Sequence, residues 1–214
     1  MIKFKSLNEY DEVWFTSDSH YSHSNICRGT TRWDLNDHGG DNSVRDFGTL
    51  QDMNDAIIKG INDHVEEHHV LIHAGDVAFG GADKVLEFCE RVNCKNIILT
   101  PGNHDKGIRD QGRHRGYFEN VLPINDLQYV QFKGVKMVVS HFPMLVWHQS
   151  HKDSRLVFGH VHGSNPGVGK SMDVGIDNIY KTAKEYKPIS FKEFESFTDG
   201  REAYLESHHN SKTS

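Results

Sequence analysis

The sequence predicts an α/β fold, on three observations. Short apolar runs alternate with helically spaced apolar residues through the first half, an order of strand, helix, strand, helix, strand that favours a parallel sheet with crossover helices. In the second half Lys133-Gly134 separates two apolar runs as a two-residue hairpin loop. The 214 residues, 36% hydrophobic, suffice for one well-cored domain. No repeat, low-complexity block or linker divides them, so a single domain is expected over residues 1–205 and a polar, disordered tail over 206–214.

The elements follow in order. Val13-Trp14-Phe15-Thr16 reads as a buried strand ending at Asp18, and residues 24–47 form a polar stretch without periodicity. Thr49 and Asp52 make a helix N-terminus. Leu50, Met53, Ile57, Ile61 and Val65 then lay out one apolar face. Val70-Leu71-Ile72 is a second strand, Val85, Phe88, Cys89 and Val92 mark a second helix, and Asn96 to Thr100 is a third strand stopped by Pro101-Gly102. Residues 128–132 and 135–139 flank the hairpin loop, and 155–158 and 171–174 read as further strands. Ser190 and Glu193 form a capping box for a helix carrying Phe191, Phe194 and Phe197.

Composition excludes several classes. Net charge is -6 without any block of Lys or Arg, which argues against a large nucleic-acid or membrane footprint. No apolar stretch reaches the length of a membrane span, and the first residues lack a signal-like core. The three cysteines, Cys27, Cys89 and Cys94, are odd in number and lack zinc-pair spacing. They read as reduced, buried thiols of a cytoplasmic protein. Of the 16 histidines, His38, His64, His68, His69, His114, His208 and His209 lie in polar stretches and read as solvated.

Five clusters follow apolar runs: Asp18-Ser19-His20, Gly75-Asp76, Gly102-Asn103-His104-Asp105, Ser140-His141 and Gly159-His160-Val161-His162-Gly163. Their positions after strands are where open α/β sheets gather ligand sites. Side chains alternate along extended chain, so Asp18 and His20 are expected to point the same way, as are His160 and His162. Gly75, Gly102, Gly159 and Gly163 relieve crowding beside them. Together the clusters offer two aspartates, one asparagine and four histidines as ligands, plus a fifth histidine free for other work. Imidazole with carboxylate and amide oxygen suits Zn, Mn, Fe, Ni or Co, and the absence of cysteine disfavours a structural zinc site. Two such ions beside two aspartates leave the cluster at about +2, a phosphate-seeking pocket. They would also lower the pKa of a shared water and stabilise in-line displacement at phosphorus.

These clusters resemble the calcineurin-like metallophosphoesterases, whose pattern is Asp-x-His, Gly-Asp, Gly-Asn-His-Asp/Glu, His and Gly-His-x-His. All five blocks stand without substitution. Phe15 to Ile26, Asp173-Val174-Gly175-Ile176-Asp177 and Pro188-Ile189-Ser190-Phe191 resemble a subgroup of small bacterial and phage phosphoesterases. The resemblance implies a four-layer α/β sandwich, two mixed β-sheets flanked by helices. It implies that Asp18, His20 and His162 hold one metal, that Asn103, His141 and His160 complete a second, and that Asp76 bridges both. His104 would assist the leaving group, Asp105 would orient its ring, and a hydroxide bridging the metals would attack the ester. The implied cofactor is two divalent transition-metal ions, Mn favoured. The implied substrate is a phosphate ester, a small molecule or nucleotide, with a phosphodiester favoured because nothing reads as a cap for a small monoester. A nuclease or phosphomonoesterase of the same superfamily is the alternative, and a non-catalytic metal-binding scaffold the reading from another class.

Residues outside the blocks carry competing readings. His23 and Asn25 are candidate substrate contacts or ordinary loop residues. Arg28, Arg32 and Arg45 are candidate clamps for a second phosphate or a base, against plain surface arginines. His73, inside a strand, is expected to be a buried, hydrogen-bonded histidine. His148 and His151 are candidates for the pocket mouth.

Overall fold

The computed structural model describes residues 2–27, 44–110 and 115–203. In chain order the described elements are β1 (Lys5–Ser6), β2 (Val13–Thr16), α1 (Leu50–Asn62), β3 (Val70–His73), α2 (Ala82–Arg91) and β4 (Asn96–Leu99). Then come α3 (Lys106–Asp110), α4 (Arg115–Phe118), β5 (Leu127–Phe132), β6 (Val135–Ser140), β7 (Arg155–Phe158), β8 (Ser171–Asp173), α5 (Ile176–Ala183), β9 (Ile189–Ser190) and α6 (Phe191–Asp199). Arg28, Arg32 and the tail lie outside the described residues.

One sheet has the order β4-β3-β2-β9, the other β1-β5-β6-β7-β8. Each mixes parallel and antiparallel pairs: β2, β3 and β4 run parallel with β9 reversed, and the β5–β6 hairpin is the reversed pair of the second sheet. Both faces of the first sheet are covered, which is why its strands are continuously apolar. Trp14, Leu71, Ile97 and Leu99 face α1 and α2, against Met53, Ile57, Ile61, Val85 and Phe88. The alternate residues Val13, Phe15, Val70, Ile72 and Ile98 face the second sheet, against Val130, Phe132, Met137, Val139 and Val157. This is the expected architecture of two mixed sheets flanked by helices.

Local signals explain the boundaries. The Thr49 side chain accepts from the Asp52 N–H (3.1 Å) to open α1, and Ser190 with Glu193 closes a reciprocal box at α6. Lys133 and Gly134 both take positive φ, 46° and 87°, the backbone that matches a tight hairpin to strand twist. The sheets abut beyond β2 and β8: Ser17 bridges Gly175, and the Ile176 N–H donates to the Ser17 carbonyl (3.1 Å). Asp18 leaves β2 at that junction.

Some expectations are corrected. The sequence reading misses β1 and β9, two residues each and too short for periodicity, and α5, whose buried apolar residues are only Ile176 and Ile179. Phe197 of α6 is exposed while Phe191 and Phe194 are buried. His64 and His69 are half-buried rather than solvated, because both rings pack on Trp14. The three cysteines are buried and none is in a disulfide, as expected.

Candidate metal centre

The blocks converge at the ends of β2, β3, β4, β6 and β7. One ligand atom each from Asp18, His20 and His162 lies within 4.8 Å of the others, and the same holds for Asp76, His141 and His160. Asp76 reaches both groups: its Oδ2 is 3.6 Å from His20 Nε2 and 3.4 Å from His141 Nε2. Asn103 joins the second group, its Oδ1 3.0 Å from His141 Nε2.

Five of these residues, Asp18, His20, Asp76, His160 and His162, have φ between 46° and 73°. Outside glycine this left-handed backbone is uncommon and costs on the order of 1–3 kcal/mol per residue. Neighbours hold it in place. The Asp18 N–H donates to Gly75 O (2.9 Å), the His20 N–H to Asp76 O (2.9 Å), and the His160 N–H to the Asp18 carboxylate (2.9 Å). Left-handed turns, rather than the extended chain expected from the spacing, therefore aim Asp18 and His20 together. They also send His160 and His162 to different groups. Two glycines leave the space. A Cβ on Gly102 would lie 2.1 Å from Asp76 Oδ1, and one on Gly159 would lie 2.4 Å from Asp18 Oδ2.

Hydrogen bonds fix which nitrogen faces inward. His141 Nδ1 sits 2.8 Å from the Ala74 carbonyl, which can only accept, so Nδ1 carries a proton and Nε2 is the nitrogen turned toward Asp76 and Asn103. His162 Nδ1 pairs with the Asp177 carboxylate, leaving Nε2 toward Asp18. His20 Nε2 is buried and has no hydrogen-bond partner among the described residues, 3.6 Å and 3.9 Å from two carboxylate oxygens. A buried nitrogen without a partner is costly, and a cation between it and those carboxylates would satisfy it. The donor set fits a metal.

Charge states differ among these residues. Burial, reinforced by Arg45, pushes the His20 pKa far below its usual range, and burial with the His141 charge lowers that of His160, so both rings are neutral donors. Burial raises the Asp18 carboxyl. It opposes ionisation of Asp76 too, yet the His141 hydrogen bond and charge hold Asp76 well below the carboxylate range. His141 and His162 are raised against their burial, by Asp76 and Asp177 respectively, His162 to about 9.

The exposed His104 packs edge-on to His20 (5.3 Å) and Phe79 (5.6 Å), its backbone N–H on Asp76 Oδ1 (2.9 Å). Asp105 is corrected. Its carboxylate accepts backbone N–H groups from Asp76 (2.7 Å), Gly102 (2.8 Å) and Val77 (3.0 Å), so it staples two loops rather than orienting the His104 ring. Burial raises it to about 6. His23 stacks on Phe79 at 4.1 Å and touches His20, while Asn25 is exposed. His73 is buried against Ser19 Oγ (2.8 Å), as expected. His148 stacks on Phe4 and meets Tyr129 edge-on.

Arg45 is also corrected. It is 3% exposed, and its guanidinium is spent on Asp177 and on the carbonyls of Asp18 and Ser19 rather than on substrate. Sequence reasoning missed this use of Arg45 and missed Asp177 as its partner, although Asp177 stands in a run singled out for resemblance. Glu66, His68 and His69 also approach one another. His69 Nδ1, however, already accepts from Trp14 Nε1–H and the Glu66 N–H, which puts the ring proton on Nε2 and leaves no free donor.

The sequence profile of the calcineurin-like phosphoesterases matches residues 12–189. The chain belongs to that family. This phosphoesterase is thus a hydrolase of phosphate esters from a metal-dependent family. An uncharacterized protein of Methanocaldococcus jannaschii is 24% identical over 84% of this chain and 86% of its own. A protein of unknown function from Aquifex aeolicus shares the fold, with a TM-score of 0.59 at 20% identity over 87% of this chain and 98% of that one. A novel archaeal phosphodiesterase aligns with a TM-score of 0.43 at 20% identity, over 84% of this chain and 99% of that one.

Proposed function

We propose that this phosphoesterase binds two divalent transition-metal ions, Mn favoured, and hydrolyses a phosphodiester. The observation that carries the reading is the buried, partnerless His20 Nε2, set between carboxylates of two ligand groups that Asp76 links. Asp18, His20 and His162 would hold one ion, and Asn103, His141 and His160 the other, with Asp76 shared. When bound, such ions supply a water acidified toward neutral pH and positive charge for the phosphoryl oxygens.

The chain supplies the rest. His104 is exposed beside both groups, its main chain tied to Asp76, and donates a proton to the departing oxygen. Two half-exposed phenylalanines flank the groups: Phe79 on His23 and His104, Phe142 on His141 and His160. They offer an apolar surface to each ester arm, which favours a diester over a monoester. Buried cysteines outside any disulfide support a cytoplasmic site of action. In the test, His104→Ala retains its metal and loses about 100- to 10,000-fold in kcat on bis-p-nitrophenyl phosphate. Turnover at the wild-type rate would remove His104 from the reaction.

A further inference from the structure

Arg45 makes an unusual set of bonds for an arginine outside the five blocks. Its Nε donates to Asp177 Oδ1 (2.7 Å) and its Nη2 to Asp177 Oδ2 (3.3 Å). Nη2 also donates to the Asp18 carbonyl (2.5 Å) and Nη1 to the Ser19 carbonyl (2.9 Å). The Arg45 main chain is left-handed, φ 57°, and its N–H donates to Tyr186 Oη (2.5 Å). Asp177 in turn accepts from His162 Nδ1. A buried guanidinium is expensive unless its donors are satisfied, and here the partners are one carboxylate and the backbone carrying two candidate ligands.

All three arms of one ligand group therefore meet on this arginine. Asp18 and His20 are reached through the carbonyls of Asp18 and Ser19, and His162 is reached through Asp177. Helix α5 adds to the hold on the third arm, where Lys181 Nζ donates to the His162 carbonyl (2.9 Å). Among the described residues the other group is held differently, with His141 on the Ala74 carbonyl and the loops of Asp76 and Gly102 stapled by Asp105.

Resting on the two-ion reading above, we infer that Asp177, fixed by Arg45, is a positioning residue for one metal site alone: it holds His162 with Nε2 turned toward Asp18. The carboxylate accepts a hydrogen bond from Nδ1–H, which sets the tautomer and the ring angle. Arg45 ties that carboxylate to the Asp18-Ser19 turn, so the three donors keep one spacing. Outer partners of this kind typically matter by about 10- to 100-fold in metal affinity.

The test is calorimetric titration of metal-stripped protein with Mn2+ alone, on wild type, Asp177→Ala, Asp177→Asn, His162→Ala and the double variant Asp177→Ala/His162→Ala. Asp177→Asn keeps the shape and removes the charge, and it decides the matter should the alanine variant fail to fold. Expected is a loss of about 10- to 100-fold at one of two binding steps, with the other unchanged. In the His162→Ala background, Asp177→Ala adds nothing, because its role runs through that ring; a purely structural role would add its own loss there. Wild-type Mn2+ affinity in both Asp177 variants, or additive losses in the double variant, would overturn the positioning role alone. Wild-type binding by His162→Ala would overturn the metal-site reading itself, and this inference with it.

Discussion

His73 shows how burial sets a side chain's charge in this molecule. It is fully buried, and burial lowers its pKa from 6.5 to about 3. The folded ring stays neutral while the unfolded ring takes a proton below 6.5, so the unfolded state binds more protons between those values. Stability from this group is thus complete above pH 6.5 and falls as pH drops toward 3, by about 1.4 kcal/mol per pH unit. Denaturant unfolding at pH 7, 5.5 and 4 is expected to show His73→Gln losing less stability on acidification than wild type. Parallel pH profiles would contradict a neutral buried His73. At this scale the candidate ligand residues are legible because their types and blocks are distinctive. Arg45 and Asp177 are not, since an arginine and an aspartate 132 positions apart give no local sign of pairing. Asp105 is read as a partner of its neighbour His104 because sequence shows adjacency, whereas the left-handed turn at Asp76 brings other N–H groups to its carboxylate.

Elements position the centre through loops that leave no spare volume. Gly102, between β4 and α3, faces Asp76 so closely that a methyl group would lie 2.1 Å from Oδ1 and 2.6 Å from the main-chain nitrogen. Gly107, in α3, has nothing among the described residues within 4 Å of the same added atom. Gly102→Ala is expected to destabilise the protein by about 1–3 kcal/mol through overpacking and to weaken Mn2+ binding. Gly107→Ala is expected to be neutral or stabilising by under about 1 kcal/mol. Urea melts of both variants check this, and equal stabilities would contradict the close approach at Gly102. Strands β2, β3 and β4 and helices α1 and α2 are legible because each carries a full apolar period. The eight-residue α5 is not, and its contribution comes from packing against the site loop rather than from its own pattern.

At the scale of the whole molecule, the two sheets share one core, in which the ring of Phe15 of β2 packs at a tilt against Phe194 of α6, centroids 4.8 Å apart. Sequence shows that both sets of strands are apolar, but not that their inner faces meet, because that contact is between residues far apart in the chain. We propose that residues 1–205 unfold as one domain. Phe15→Ala is expected to cost about 3–5 kcal/mol and to shift a single calorimetric transition downward. Two separable transitions would contradict one domain. The same junction of sheets carries the ligand groups, so core and centre are built by one set of strand ends. Two divalent ions held at that edge would give a chain of net charge -6 a locally positive, phosphate-seeking site.

The most direct measurement is turnover of bis-p-nitrophenyl phosphate while metal-stripped protein is titrated with Mn2+. Activity is expected to rise to its maximum at two ions per chain, and to be absent throughout in Asp76→Asn, which removes the charge of the shared ligand. Full activity at one ion, or undiminished activity after stripping, would contradict a two-ion centre.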